Sequence, residues 1–234
     1  MEGAEGQEMD RCLLGIDVGT TGVKVILLEE SGRVAAESIT EHRTLLPRPL
    51  WSEQRPEDWW KGTVKGIKEV LRKVKGRGSR ISAIGVTGQM HGLVLLDKTG
   101  RVLRPCIMWN DQRASPQCVE MTERVGARRL IELTGNRFLP GFTAPKIEWV
   151  RQNERKVYES TAKLLLPKDY ARYRLTGTYA SDVSDASGTS LFDVRDRRWS
   201  NQVIDAFGIP EDWLPQVTES TVVSGMVSAR AAKE

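Results

Sequence analysis

Asp17-Val18-Gly19-Thr20-Thr21-Gly22 places an acid, two hydroxyls and two glycines within six residues. An apolar run, Cys12 to Ile16, leads in and a β-branched run, Val23 to Leu28, leads out, which predicts strand, tight loop and strand. Loop N–H groups and Thr hydroxyls in such a turn cradle a phosphate. An acid beside them holds Mg2+ directly or through a water. The same six residues also suit a plain hairpin, in which Gly and Thr are only punctuation.

Three further clusters follow apolar runs, and in open α/β sheets ligands collect where strands end. Gly88-Gln89-Met90-His91-Gly92 comes directly after Ile81 to Thr87. His91 offers an imidazole that donates to or accepts from a hydroxyl, and Met90 an adaptable apolar wall. A histidine satisfied within a turn is the plainer reading. Met108-Trp109-Asn110-Asp111-Gln112-Arg113 sets one aromatic face beside an amide, an acid and a guanidinium. That combination suits a polyol, whose C–H faces pack on a ring while its hydroxyls bond polar groups. Asn110 or Asp111 would also cap a helix containing Val119, with Trp109 in the core. Ser181 to Thr189, rich in Ser and Asp, reads alone as a loop.

The elements that must position these groups follow from periodicity and punctuation. Strands are predicted at 12–18, 23–28 and 33–41, with a turn at Glu29-Glu30-Ser31-Gly32. A Pro-bearing connection leads to a helix after Pro56, whose first turn carries Glu57 and Asp58 in favour of the helix dipole. Trp60, Val64, Ile67, Leu71 and Val74 make its apolar face, with Lys61, Lys65, Lys68, Arg72 and Lys73 opposite. Gly76 and Gly78 stop it. Residues 81–87 then predict a buried strand. The opening pattern returns: Glu30-Ser31-Gly32-Arg33-Val34 aligns with Lys98-Thr99-Gly100-Arg101-Val102, superposing Val25 to Leu28 on Leu93 to Leu96. Helices are predicted near 112–125, 127–134 and 145–153, the last with Pro145 in its first turn. A strand over Lys163 to Leu166 ends at Pro167, and a short helix to Leu175 closes at Gly177. Strands alternating with helices predict an α/β domain over 12–225, a mixed sheet with β-hairpins and flanking helices.

Composition narrows the partners. Among 234 residues the net charge is only +4, and basic residues are interspersed with acids, so nucleic acid is not an expected partner. Residues 1–11 form an acidic, Gly-rich start without the basic head or apolar core of a secretion signal, expected to be disordered. No apolar run approaches membrane-spanning length. Cys12, Cys106 and Cys118 are odd in number and lack metal-site spacing, so reduced thiols in a cytoplasmic protein are expected.

Taken in order, the motifs resemble the FGGY carbohydrate kinases, most closely the xylulose kinase branch. Asp17 to Lys24 is similar to that family's amino-terminal phosphate loop. Leu50 to Gln54, Gly88 to Gly92, Ile107 to Arg113, Pro140 to Lys146, Leu165 to Tyr170 and Ser181 to Ala186 follow its pattern in order and spacing. The resemblance implies the amino-terminal half of a ribonuclease H-like ATPase of the actin and hexokinase type. It implies sugar contacts at Met90 and His91, with Trp109 and Asp111 beside them. Phosphate or nucleotide contacts fall on Gly19, Thr20, Thr21 and Lys24, and Asp17 becomes the acid near Mg2+ and the transferring phosphoryl group. The implied reaction is phosphorylation of D-xylulose by ATP, chiefly a matter of positioning and charge stabilisation. Another pentulose or a sugar acid is the alternative substrate. The family's general-base Asp, in a Gly-rich motif, is expected beyond the chain end, as is the second, ATP-binding domain. Residues 226–234 are then a truncated tail, and a homodimer or pairing with a carboxy-terminal half is expected. A non-catalytic sugar-binding half-domain remains the alternative from another class.

Overall fold

The computed structural model describes residues 11–74 and 80–234. The expected disordered start up to Asp10 and the helix stop at Gly76 and Gly78 lie outside the described residues. Strands are β1 (Cys12–Val18), β2 (Gly22–Glu29), β3 (Val34–Glu41), β4 (Glu53–Gln54), β5 (Ile81–Gly88), β6 (Val94–Leu96), β7 (Cys106–Ile107), β8 (Lys163–Leu165) and β9 (Ala180–Asp182). Helices are α1 (Pro56–Lys73), α2 (Ser115–Val125), α3 (Ala127–Thr134), α4 (Thr143–Asn153), α5 (Arg155–Ser160), α6 (Pro167–Thr176), α7 (Val183–Ser187) and α8 (Asn201–Phe207). The chain divides into two compact units.

One unit holds residues up to His42 together with Trp59–Gly88. Its sheet has the order β3-β2-β1-β5, with β1 antiparallel to β2 and parallel to β5. Alternation sorts the faces: Leu14, Ile16, Val18, Val23, Val25 and Leu27 are buried, whereas Leu13, Asp17 and Lys24 are exposed. α1 lies on the buried face, only partly by the stripe its large residues suggest. Trp60 and Val74 of that stripe are buried together with Trp59, Gly62, Thr63, Gly66 and Val70, while Val64, Ile67 and Leu71 are only half-buried. A Cβ on Gly66 would stand 2.6 Å from Val25 Cγ2, and one on Gly62 3.1 Å from Val23 Cγ2. Glycine therefore lets the helix backbone approach β2 closely, and Ser38 Oγ donates to Glu69 Oε2 at 2.5 Å across the same contact. The two glycines at the closest approach carry no hydrophobic signal. β5 is likewise not the buried strand expected: its residues are half-buried or exposed. It is an edge strand bonded to β1 alone among the described residues, and Ser82, Ala83, Gly85 and Thr87 are too small to shield it.

The other unit holds Arg43–Asp58 and Gln89–Glu234. Its strands pair in twos, β4 with β7, β6 with β8, β9 with Gln216–Thr218, and Phe192–Asp193 with Arg198–Trp199. Leu93, Leu95, Ile107, Met121, Ile147 and Leu164 belong to its apolar core. The second copy of the hairpin motif therefore joins β8 rather than a large sheet. α2 starts three residues later than expected, with neither Asn110 nor Asp111 as its cap; Ala114 takes that place, and Pro116 occupies the first turn, where its missing N–H costs nothing. The polar stretch after Gly177 is ordered: β9 runs into α7, whose cap Asp182 accepts from the Asp185 N–H at 2.9 Å. α5, α8 and strand Gln216–Thr218 were not anticipated. Near the end of the chain Ser228 packs on α6, its N–H donating to Leu175 O at 2.9 Å. All three cysteines are buried. No helix among the described residues is long and apolar enough to cross a membrane.

Candidate functional site

β1 and β2 pair with Asp17 opposite Lys24 and Val18 opposite Val23, which leaves Gly19-Thr20-Thr21 as the loop. Gly19 N–H donates to Gly22 O at 3.0 Å, and His42 N–H donates to Thr21 O at 3.2 Å. His42 Nε2 lies 3.2 Å from Gly19 O and, facing a carbonyl, must donate. Neither Gly19 nor Gly22 adopts a positive φ. They supply room instead: a Cβ on Gly22 would stand 2.8 Å from Thr40 O, and one on Gly19 3.1 Å from Gly22 O. Asp17 and Thr21 are exposed, Thr20 half-buried. Lys24 is also exposed, and its Nζ meets Glu37 Oε2 at 2.9 Å, so its charge is shared with β3. No hydrogen bond or ion pair engages the Asp17 carboxylate among the described residues.

The second candidate region is built differently. Gly92 N–H donates to Met90 O at 2.7 Å across His91, whose φ is +63°, a γ-turn. A non-glycine residue there is strained and persists only where its surroundings hold it. Four neighbours do so. The imidazole stacks on Phe142 with ring centroids 4.3 Å apart. Nδ1 lies 2.7 Å from Gly188 O and donates to it, since a carbonyl only accepts. The main-chain oxygen of His91 accepts from Lys146 Nζ at 2.9 Å and from Thr143 Oγ1 at 3.2 Å. Burial pushes the His91 pKa below its ordinary value, and nearby Lys146 adds to this against the opposing bond to Gly188. The ring is therefore neutral near pH 7, with its proton on Nδ1 and a lone pair on Nε2.

Gly188 is needed here for space: a Cβ on it would stand 2.7 Å from His91 Nδ1 and 3.4 Å from Met90 Cε. Met90 and Trp109 are 42% and 45% exposed, so two large apolar side chains face solvent. Trp109 is thus not the core residue that the capping reading requires. A Cβ on Gly141 would collide with Trp109 O. Lys146 Nζ donates to Gly141 O at 2.7 Å as well as to His91 O. Lys146 thus ties the turn that bears Met90 and His91 to the Gly141 loop, which abuts the Trp109 main chain.

Asp111 is placed otherwise. It is fully buried, and both oxygens are engaged: Oδ2 accepts from Ser52 N–H at 2.6 Å and Arg113 Nη2 at 2.8 Å, Oδ1 from Arg113 N–H at 2.8 Å and Nε at 2.9 Å. It presents no open oxygen for a sugar, which corrects its expected role. Arg113 continues to Glu53 Oε1 at 2.7 Å, and its guanidinium lies 3.8 Å from the Trp51 ring centroid. Arg104 Nη2 meets the same Glu53 oxygen at 2.6 Å. Gln89 Nε2 donates to Gln54 Oε1 at 2.9 Å. The motifs around residues 50–54, 88–92 and 107–113 are thereby fastened to each other by buried polar bonds.

Lys146, Phe142 and Gly188 were not singled out as functional candidates. A signal for Lys146 was present: a lone lysine in the first turn of a helix otherwise apolar there, where the dipole disfavours a cation. Burial pushes its pKa down to about 7, against the pull of Cys106 and Asp111 and with Arg113 adding to the drop. A second buried group of charges gathers at Lys168, whose Nζ lies 2.7 Å from Asp169 Oδ1, 3.2 Å from Asp185 Oδ2 and 3.6 Å from Asp182 Oδ1. One ammonium cannot neutralise three carboxylates. Burial pushes Asp185 up to about 7 against the pull of Lys168, with Asp169 and Asp182 adding to the rise.

Residues 12–234 match the model of the FGGY family of carbohydrate kinases, N-terminal domain. The chain belongs to this family. It is 45% identical over 225 residues to the xylulose kinase of Escherichia coli (strain K12), an alignment covering 94% of this chain and 45% of that protein. It is 33% identical over 223 residues to a glycerol kinase of Thermococcus onnurineus (strain NA1), covering 93% of this chain and 45% of the relative. The crystal structure of xylulose kinase from Rhodospirillum rubrum superposes with a TM-score of 0.92 at 28% identity, over 95% of this chain and 46% of that one. The fold is accordingly that of the actin and hexokinase-like kinases. The chain spans about half the length of the curated relatives it matches.

Proposed function

We propose that this chain is the sugar-binding half of an ATP-dependent kinase that transfers the γ-phosphoryl group to the 5-hydroxyl of D-xylulose. The observation that carries this reading is the held, neutral His91, whose Nε2 lone pair accepts from a sugar hydroxyl beside the open faces of Met90 and Trp109. Asp111 acts through Arg113 and Ser52, fixing the loop that bears Trp109. In the other unit, the Gly19-Thr20-Thr21 loop and Lys24 receive phosphate oxygens of ATP. Among the described residues no three His, Cys, Asp or Glu side chains gather into a metal site. The single exposed carboxylate of Asp17 suits Mg2+, which keeps most of its waters and substrate oxygens and needs only one or two protein carboxylates. Bound there, the ion neutralises charge on the transferring phosphoryl group.

The similarity to a glycerol kinase favours a second reading, a shorter polyol as acceptor. Backbone NMR of this chain, titrated with D-xylulose, glycerol and D-gluconate in parallel, separates the two. Saturable shifts at Met90, His91 and Trp109 with D-xylulose at lower concentration than with the others are the expected result. Equal or tighter response to glycerol would move the assignment to that substrate, and no response at those residues would remove them from the site. Acidifying below the depressed His91 pKa turns Nε2 into a donor and should weaken D-xylulose binding.

A further inference from the structure

We propose that Lys146 is a positioning residue, whose buried amine pins the His91 turn and the Gly141 carbonyl together and so sets where His91 Nε2 and Trp109 stand. This rests on the reading of His91 as a sugar contact. Lys146 is fully buried in the first turn of α4, and Nζ donates to His91 O at 2.9 Å and Gly141 O at 2.7 Å. The two carbonyls lie fifty residues apart in sequence and on different loops, roughly as far as 91 is from 141. His91 O is the oxygen of the strained residue itself, so the bond anchors the carbonyl that a change of φ at His91 would swing away. Gly141 O belongs to the loop that carries Phe142, the stacking partner of the imidazole, and that abuts Trp109 O. One side chain thus grips both sides of the candidate sugar face.

The chemistry of the amine fits this task. A fully buried ammonium is costly, and the groups facing Lys146 offer limited compensation: Arg113 repels it, burial keeps the Cys106 thiol protonated and uncharged, and Asp111 is already committed to Arg113. A neutral amine keeps two N–H groups, enough for the two carbonyls it serves, so the grip survives loss of the proton. Methionine at this position would fill the same space with no donor. His91 O would retain only Thr143 Oγ1, at 3.2 Å.

The test compares the chain with its Lys146→Met variant by 15N NMR of the His91 ring and by D-xylulose titration. In the parent chain the ring should show one tautomer, protonated at Nδ1. In the variant the ring signals should report mixed tautomers and a pKa moved back toward the ordinary value, with D-xylulose bound about tenfold to a hundredfold more weakly, as expected for loose placement of a binding group. Unchanged ring signals would overturn the proposal, whatever happens to affinity. Relaxed ring signals with unchanged affinity would uphold the clamp and instead remove His91 from the sugar site. Should Lys146→Met fail to fold, the parent chain still decides: 13C shifts of the His91 and Gly141 carbonyls should titrate together with Lys146 Nζ, and carbonyls indifferent to that titration would sink the proposal.

Discussion

Around Asp17 the backbone does the positioning; around His91 side chains do it. Asp17, Thr21 and Lys24 stand exposed on a regular hairpin set chiefly by its register, with His42 bonding the loop and Glu37 pairing Lys24. His91 stands half-buried at φ +63° within a grip of Phe142, Gly188, Thr143 and Lys146. The chemistry of the proposed ligands accounts for the contrast. A phosphate with its cation carries enough charge to draw mobile side chains into place. A neutral polyol offers only hydroxyls, each worth little net against water, so affinity requires groups already in position.

The largest expected effect lies behind the sugar face. Arg113→Met would leave Asp111 buried without its cation, while Glu53 keeps Arg104, and such losses cost about 3–5 kcal/mol. Asp17→Asn, by contrast, removes an exposed charge from a hairpin set by register and should stay within about 0.5 kcal/mol of the parent chain. Urea unfolding followed by tryptophan fluorescence measures both. Comparable losses in the two variants would mean that Asp17 is part of the scaffold after all.

The same small change should read out differently in the two regions. Gly66→Ala puts a Cβ 2.6 Å from Val25 Cγ2, on a branched side chain with few rotamers to yield. The overpacking should outweigh the gain in helix propensity and cost roughly 1–2 kcal/mol of stability. Gly188→Ala puts a Cβ 2.7 Å from His91 Nδ1, and the imidazole must move. D-xylulose affinity should fall about tenfold, equivalent to ~1.4 kcal/mol, while the unfolding midpoint moves less than for Gly66→Ala. If affinity survives Gly188→Ala, the orientation of His91 is not what the sugar reads.

Stability against pH sharpens the contrast further, because the buried titrating groups named above belong to the sugar-side unit. Lys146 titrates near 7 when folded against an ordinary 10.5, so between those values only the unfolded chain holds the proton. Stability from this group is complete above 10.5 and is lost as pH falls to 7. Asp185 titrates near 7 when folded against an ordinary 3.8, so its contribution is complete below 3.8 and is lost as pH rises through 7. Together the two predict a minimum near neutral pH. Lys146→Met should abolish the alkaline rise and Asp185→Asn the acid-side fall, both read from urea midpoints across pH 4 to 10 as roughly half-unit steps. A profile unchanged in both variants would mean that neither group is perturbed.

Much of the scaffold was legible because alternation and punctuation are local. β1, β2, α3 and the Pro167–Thr176 helix follow directly from apolar runs, Pro and Gly. What escaped depended on contacts distant in sequence. The middle of the buried face of α1 is Gly62, Thr63 and Gly66, invisible to a count of apolar residues. The Asp111 carboxylate looked like a polyol ligand until Arg113 and Ser52 were seen to occupy it. Lys146 and Gly188 act on His91 from 55 and 97 positions away, and spacing along the chain says nothing about such a meeting.

The smallest expected difference comes from one turn used twice. In the first unit Glu29 N–H donates to Arg33 O and Gly32 N–H to Glu29 O, both at 2.9 Å. In the second, Asp97 N–H donates to Arg101 O and Gly100 N–H to Asp97 O, again both at 2.9 Å. Gly32 and Gly100 share a left-handed backbone, φ +85° and +79°. Their surroundings differ: nothing lies within 4 Å of a Cβ on Gly32, whereas the Tyr173 hydroxyl stands where a Cβ on Gly100 would go. Tyr173 is stacked on Tyr179 with centroids 4.6 Å apart, and their hydroxyls are 3.2 Å apart, so it is not free to swing away. Gly32→Ala should therefore cost only the backbone penalty, about 1 kcal/mol. Gly100→Ala should cost that plus displacement of a packed ring, about 2–3 kcal/mol in all. Equal losses in urea unfolding would mean that the tyrosine pair yields freely, and that the second turn is no more tightly enclosed than the first.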